Sequence, residues 1–599
     1  MRRCFLLIAL APVAFCQPEP PSDVTIRTAV SRTLPLLQKS AANFVAARAC
    51  VSCHHNVLPV LLFHMAQDRG FEINPKVLNA VEDKTFRNLR SATALDDAIQ
   101  ATTLNDPTPD ESYLLMAAHA AGSPPDLITA VYARRLARWQ RDGHWVTSDF
   151  RPPHSSSVFT ATATAVRAIQ LYMPEELRAE RDQCIARARQ WLASTRPAST
   201  EDASFRLIGL VWAGAGRPEI DEARRDLLAL QRPAGGWPEL PSYSPDAYST
   251  GEALYALHEA DASASSAAWR RGLKFLLSTQ ASDGSWRVHT RMLSPAEVSP
   301  KYFSTGFPYG KDEFLSYAGS CWAVMALLAA LPETAHTKPS AMPVVEAPAW
   351  LRTALFGSAA QLAALLDSRL DANAKTEAGT TLLMMAAPDA AKVRVVLASG
   401  ADPKARGSSS IDALGIAGAY RGTADSIRAM LDAGASLEDP QSVRYRNLPL
   451  VFASMTGDLE NVKLLLAHGA DPSDGSYGRT PLAQAVTFGY PDVVQALIAG
   501  GASVSMREGS GINLLHWAAI ANRPSVIPAL ATAGIPVNDQ DKFGFTPLMY
   551  AATLDFGDAE TVKTLLRAGA NPGIRNNEGR TAREQARYLR HSQIEAVLR

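Results

Sequence analysis

The chain has 599 residues, 47% of them hydrophobic and 20% charged, with 59 basic residues set against 59 acidic ones. That length exceeds what one hydrophobic core organises, so two or more domains are expected. Balanced charge without a long basic run excludes the electrostatic footprint of a nucleic-acid binder, and the composition excludes a disordered or fibrous chain.

Residues 1–16 read as a signal peptide: Arg2 and Arg3 precede the apolar stretch Phe5 to Phe15, and Ala14 and Cys16 supply small residues before a mature start at Gln17. No later stretch reaches about 18 uninterrupted apolar residues, so a soluble product exported to the periplasm or secreted is expected, with no membrane span. Lipidation at Cys16 fits less well, because bulky Phe15 precedes it. Four cysteines then remain, Cys50, Cys53, Cys184 and Cys321, too few for a disulfide framework. Cys184 and Cys321 fall on apolar helical stretches and read as buried thiols.

Residues 24–332 form the first expected domain. Six apolar stretches carry helical patterning: Asn56 to Gln67, Asp110 to Ala121, Ser155 to Tyr172, Ala203 to Ala213, Asp246 to Glu259 and Leu315 to Leu331. Each follows a second helical stretch, so the unit is a helical hairpin. Three connections share a Gln and a later Trp, in "QRDGHW" from Gln140, "QRPAGGW" from Gln231 and "QASDGSW" from Gln280. Their spacings of 91 and 49 residues leave room for one hairpin without the motif, supplied by "ARARQWLAS" and "FRLIGLVWAGAG". In these loops Gln reads as a helix cap and Trp as packing against the turn.

The phrase "RGLKFLLSTQASDGSW" resembles the QW motif of squalene-hopene cyclases, and the domain resembles the terpenoid cyclase and prenyltransferase α/α toroid. The resemblance implies an all-α fold with an (α/α)6 toroid. It also implies chemistry that this sequence does not carry. The Asp-x-Asp-Asp acid of the cyclases is missing, with Leu95-Asp96-Asp97 the nearest fragment. Of the prenyltransferase zinc ligands Asp246 remains, while Tyr248 and Ser316 stand at the other two places. The complement-type thioester string is also absent, so the reading leans away from an enzyme.

Cys50-Val51-Ser52-Cys53-His54 is the most informative local motif. In an exported protein this C-x-x-C-H pattern reads as covalent haem c attachment, with Cys50 and Cys53 as thioether donors and His54 as an axial iron ligand. A disulfide, a structural metal at Cys50, Cys53 and His54 or His55, and two free thiols are the competing readings. His64 and Met65 lie too far along the same helix for the opposite face of the iron, so a sixth ligand would come from His119 or His154. His55, Asp246 and Tyr248 form the expected pocket, with Asp110, His154, Lys311 and Asp312 at other helix starts where capping is the plainer role. The insert "MLSPAEVSPKYFSTGFPYGKDEF" reads as a lid over that mouth.

Residues 333–346 are a Pro-rich linker. From 347 to 599 a phrase recurs at Gly400, Gly434, Gly469, Gly501, Gly534 and Gly569, with spacings of 34, 35, 32, 33 and 35. With Thr480-Pro481-Leu482 and Thr546-Pro547-Leu548 opening first helices, the segment resembles ankyrin repeats, six full units with degenerate ends. The resemblance implies a concave protein-binding surface, and the polar last segment reads as a terminal cap. The insert "EDPQSVRYRN" and Pro528 depart from the pattern. The combined expectation is an exported protein-interaction protein whose toroid bears a haem or a small apolar ligand. An electron-transfer or sensing haem protein, and a toroid enzyme acting on an isoprenoid-like substrate, are the alternatives.

Overall fold

The computed structural model describes residues 21–48, 51–101, 104–153, 156–261, 266–291, 304–334, 348–437, 448–475 and 479–599. The expected signal peptide, Cys50, His154, most of the expected linker, residues 292–303 of the expected lid and the insert at 438–447 lie outside the described residues. Among the described residues the only extended pairing is three isolated bridges, and the regular elements are helical.

The N-terminal half alternates outer and inner helices. In order along the sequence they are α1 (Asp23–Ala47), α2 (Leu58–Gln67), α3 (Pro75–Thr85), α4 (Pro107–Ala120), α5 (Leu127–Arg138) and α6 (Val158–Tyr172). They continue with α7 (Arg178–Ser194), α8 (Thr200–Trp212), α9 (Arg217–Ala229), α10 (Ala247–Glu259), α11 (Ala267–Thr279) and α12 (Glu313–Leu328). The starts follow the sequence: Ser22, Asp106, Asp126, Ser157, Ser199, Asp246 and Ser266 each accept a first-turn amide. Even-numbered helices bury most of their circumference, and every residue of α12 from Ser316 to Leu328 is buried. Odd-numbered α9 buries only Ala223 and Leu227, as a surface helix does.

The even-numbered helices close a ring. Each packs on the next, α2 on α4, α4 on α6, α6 on α8, α8 on α10, α10 on α12, and α12 returns to α2. Small residues set how close they come: a side chain at Gly251 on α10 would begin 2.5 Å from the carbonyl carbon of Trp322 on α12. Hydrogen bonds between successive helix starts show that the inner helices run parallel. Ser157 donates to Asp202, Thr160 donates to Glu201 at 2.6 Å, and Thr200 donates to the Pro238 carbonyl just before α10 at 2.6 Å. Helix ends are linked likewise, Tyr172 to the Ser123 carbonyl at 3.1 Å and Trp212 Nε1 to Glu259 at 3.0 Å. The ring therefore has an N-terminal rim and a C-terminal rim.

The three Gln/Trp loops tie the outer helices together, with the two side chains in the reverse of their expected roles. Each indole caps its own outer helix, donating to Leu136, Leu227 and Leu276 carbonyls at 2.7, 2.8 and 2.9 Å. Each Gln crosses to the next outer helix: Gln140 to the Cys184 carbonyl at 2.8 Å, Gln231 to Ala268 at 2.8 Å, Gln280 to Ala29 at 3.0 Å. The last of these joins α11 back to α1 and completes the circle.

Among the described residues eight helical pairs follow between Ala349 and Val597. The six recurrent glycines adopt φ between +87° and +97°, a conformation in which a β-carbon is strained, so each turns the backbone out of its second helix. Thr480 and Thr546 cap first helices that begin with Pro481 and Pro547. Pro528 is accommodated because the second helix of its pair starts late, at Ile527.

The pairs rest on the ring through the turns that join first to second helices. Arg141 pairs with Asp492 at 2.7 Å, Trp139 Nε1 donates to the Ala419 carbonyl at 2.9 Å, and Arg523 donates to the Thr147 carbonyl. Tyr243 donates to Asp555 at 2.8 Å, and Phe150 meets Trp517 edge-on at 6.4 Å. The residues of the ring in this seam precede α6 and α10, so the C-terminal pairs lie against the N-terminal rim.

Candidate functional site

A π-helical turn, Cys53–Val57, leads into α2. Ser52 organises it: its amide donates to Asn56 Oδ1 at 2.9 Å and its hydroxyl accepts from the His55 amide at 3.1 Å. His55 is fully buried, stacked at 4.7 Å on Phe44 and 3.9 Å on Tyr317, with Nε2 3.2 Å from Ser40 Oγ. The side chain expected in an open pocket thus sits inside an aromatic stack. His54 is half-buried, stacked on Phe314 at 5.5 Å and edge-on to Phe44 at 5.8 Å. Its Nδ1 meets His55 Nδ1 and lies 3.5 Å from Ser52 Oγ.

Of the two expected sixth ligands, His119 is exposed in the last turn of α4, at the C-terminal rim away from His54, and His154 lies outside the described residues. His64 and Met65, which the spacing sets aside as ligands, pair with Glu82 at 2.8 Å and pack against the core respectively. Asp110 and Lys311 are exposed, and Asp312 accepts from Arg287 and from the Thr290 amide, each at 3.0 Å. Ser316, which stands at one of the prenyltransferase zinc positions, bonds the Val288 amide at 2.9 Å. Cys184 and Cys321 are buried thiols, and burial pushes Cys184 up to about 12.

Asp246 and Tyr248 open α10, two ring positions from α2. Asp246 caps α10 by accepting from the Ser249 amide at 2.9 Å. Burial pushes it up to about 7, with the Ser249 amide opposing and the Glu239 carboxylate adding to the rise. Tyr248 is buried, and burial together with Glu252 and Glu201 holds its hydroxyl protonated.

These two border a group of three buried glutamates. Glu201 Oε1 accepts from Thr160, and its Oε2 meets no donor among the described residues. Glu239 accepts from Ser249 and stands 3.4 Å from Arg291 Nη2. Glu252, 2% exposed, is met by the Tyr248 hydroxyl of its own helix, the one dipole that favours its charged form. Burial raises all three, Glu201 and Glu239 repel Glu252, and the Arg291 guanidinium pulls Glu239 down. Three carboxyls therefore lie close together in the buried interior, with the Arg291 guanidinium at Glu239 opposing the rise there. Among the described residues no group of three His, Cys, Asp or Glu is arranged to hold a metal ion. Arg291 in turn lies 6.0 Å from the ring of Tyr243, the side chain that bonds Asp555, so the glutamates connect to the seam.

Glu201, Glu239, Glu252 and Arg291 escaped the sequence reading. Glu252 carried a signal, a carboxylate inside the otherwise small and apolar run "AYSTGEALYAL". Glu239 and Arg291 stand in loops with no periodicity.

Comparison with known proteins places the C-terminal pairs. A family model described as "Ankyrin repeats (3 copies)" matches residues 414–508 and 484–576. The C-terminal half carries ankyrin repeats. Its similarity extends to "SH3 and multiple ankyrin repeat domains protein 1" of Mus musculus, 36% identical over 140 residues, 23% of this chain and 6% of that protein. "B-cell lymphoma 3 protein homolog" of Mus musculus is 32% identical over 163 residues, 26% of this chain and 36% of the relative. "L-asparaginase" of Dirofilaria immitis is 30% identical over 146 residues, 24% of each protein. The chain spans only about 6% of the length of the first of these relatives. Ankyrin repeats make protein-protein interaction the role of this half, and no helix among the described residues is long and apolar enough to cross a membrane.

Proposed function

We propose that the chain is an exported protein-interaction protein in which an (α/α)6 toroid acts as a ligand-binding platform carried by the ankyrin array. The observation that carries the reading is the hydrogen-bonded seam, in which one edge of a protein-binding array is given to the chain's own helical ring. The closed order of the six inner helices and the three Gln/Trp ties support the toroid. The array's partner is a protein. Cross-linking of the full-length protein in an extract of its exported compartment, read by mass spectrometry, is expected to join one recurrent protein to lysines of residues 347–599, Lys404, Lys463 or Lys563 among them. Cross-links confined to the protein itself would overturn the interaction role.

A second reading makes the motif at Cys50, Cys53 and His54 a covalent haem c site for electron transfer or sensing. What supports it is the posture of His54, whose Nδ1 is engaged by His55 and Ser52, so that ligation would run through Nε2. His55, inside its aromatic stack, does not fit a ligand role. Bound haem would supply a redox couple, and Phe314 and Phe44 would restrict solvent at its ligand. Protein exported from a host that matures c-type cytochromes is expected to show a Soret band and a mass gain of one haem, both lost in Cys50→Ala/Cys53→Ala. A colourless protein of unmodified mass would eliminate this reading and leave the first standing.

A further inference from the structure

We propose that the interior of the helical ring, between Glu201, Glu239 and Glu252, is a binding site for a small organic amine. The assignment deepens the reading of the ring as a ligand platform and rests on it.

Buried carboxyls are ordinarily answered by a cation or by donors. Here the guanidinium of Arg291 reaches Glu239 through Nη2, Glu201 Oε2 has no donor among the described residues, and Glu252 is met by the Tyr248 hydroxyl alone. The missing complement is positive charge with N–H groups.

A second set of unanswered groups continues the same stripe. Ser204 lies one turn beyond Glu201 on α8, and residues three apart share a helix face. Its hydroxyl, fully buried, has no partner among the described residues. Tyr255 lies one turn beyond Glu252 on α10, and its ring meets that of Trp322 at 5.7 Å, with Phe205 of α8 6.2 Å from the same indole. Trp322 is 4% exposed, and its Nε1 also lacks an acceptor among the described residues. Crowded carboxyls, orphaned donors and aromatic faces therefore follow one another along the ring. An ammonium group answers the carboxyls and is favoured against aromatic faces, while an oxygen on the same molecule answers the donors. A bare metal ion answers only the carboxyls, and the three glutamates are not arranged as a cage for one.

Binding is proton-linked. The groups that face Glu252 are Glu201 of α8, Glu239 of the preceding loop, and Asp246 and Tyr248 of α10 itself. Helix α11 faces α10 with Trp269, Leu273 and Leu276, which do not titrate. From α12, Tyr317 and Cys321 hydrogen-bond each other, and Tyr317 also reaches the Leu37 carbonyl at 3.3 Å. Burial and mutual repulsion raise Glu201 and Glu252 and favour their protonated forms, so an arriving ammonium displaces protons, and affinity rises with pH until the amine itself deprotonates, near 10 for an alkylamine such as putrescine.

The test is calorimetric titration of the full-length protein at pH 7 with putrescine, glucosamine and glucose, in two buffers of different ionisation enthalpy. The expected result is saturable binding of putrescine or glucosamine with net proton release, no binding of glucose, and at least tenfold weaker binding in Glu252→Gln and Glu201→Gln. Thermal melts of these variants are expected to match or exceed the parent, because a buried carboxyl that its neighbours repel has been removed. Equal binding of glucose, undiminished by Glu252→Gln, would overturn the amine and leave the ring a ligand platform. Failure of all three probes to saturate, together with a melting point lowered in both variants, would overturn both and make the glutamates structural.

Discussion

Replacing Glu111 with leucine is expected to lower the stability of the helical ring by about 3–5 kcal/mol. Arg135 on α5 is 1% exposed and gives Nε to Glu111 Oε1 at 2.9 Å and Nη1 to the Ala98 carbonyl at 2.7 Å. Removing the carboxylate leaves a guanidinium in the core with the Ala98 carbonyl and the face of the Tyr132 ring, 5.2 Å away, but no counter-charge. A buried ion pair need not be a net gain over apolar packing of the same shape. Burial pushes Glu111 up to about 6 in spite of the adjoining guanidinium, so desolvation outweighs attraction for the carboxylate. The double variant Glu111→Leu/Arg135→Met is accordingly expected to recover most of the loss. Urea unfolding followed by circular dichroism checks both. A single-variant loss under about 1 kcal/mol, or a double variant no better than the single, would contradict the buried-pair account.

Trp139→Ala is expected to uncouple the ring from the ankyrin array. Trp139 follows α5, is 3% exposed, donates to the Ala419 carbonyl at 2.9 Å and meets Phe488 edge-on at 5.8 Å. Truncating a buried Trp costs about 3–5 kcal/mol, and here the cavity opens in the seam, not in either core. Scanning calorimetry of the parent is expected to show one transition, and of the variant two, because neither half then depends on the other. One transition at an unchanged midpoint in the variant would show that the seam carries no coupling.

The ring was legible in the sequence because its signals are repetitive. Six apolar stretches landed on the six inner helices to within a few residues, and the arithmetic of 91 and 49 residues located the hairpin without a Gln/Trp loop, now α7 and α8. The array was legible for the same reason, its glycines being required by positive φ. Roles within a motif were harder to read. Whether Gln or Trp caps a helix depends on which neighbour stands across the loop, and local sequence does not hold that. The glutamates were hidden more deeply: Glu201 and Glu252 meet only because α8 and α10 are adjacent, and Glu239 and Arg291 come from loops of unrelated composition. The seam was invisible, since a turn residue such as Arg523 or Asp555 looks like any other surface charge until its partner on the ring is placed opposite.

The tie from Gln280 to α1 governs how the protein folds. Its bond to the Ala29 carbonyl joins residues 251 apart, whereas the Gln140 tie spans 44. Loop-closure entropy grows with the logarithm of length, so this last contact costs about 1.5 kcal/mol more to form than the Gln140 tie. Long-range contacts of this kind also slow folding. Helix α1 packs early on α3, which follows it closely, but meets α12 only once the last helix of the ring is made, so the part of its apolar face that α12 covers waits through nearly the whole of ring synthesis. The slow step of folding is the closing of this one gap, and a chaperone acting on the nascent polypeptide has the exposed stripe of α1 as its target.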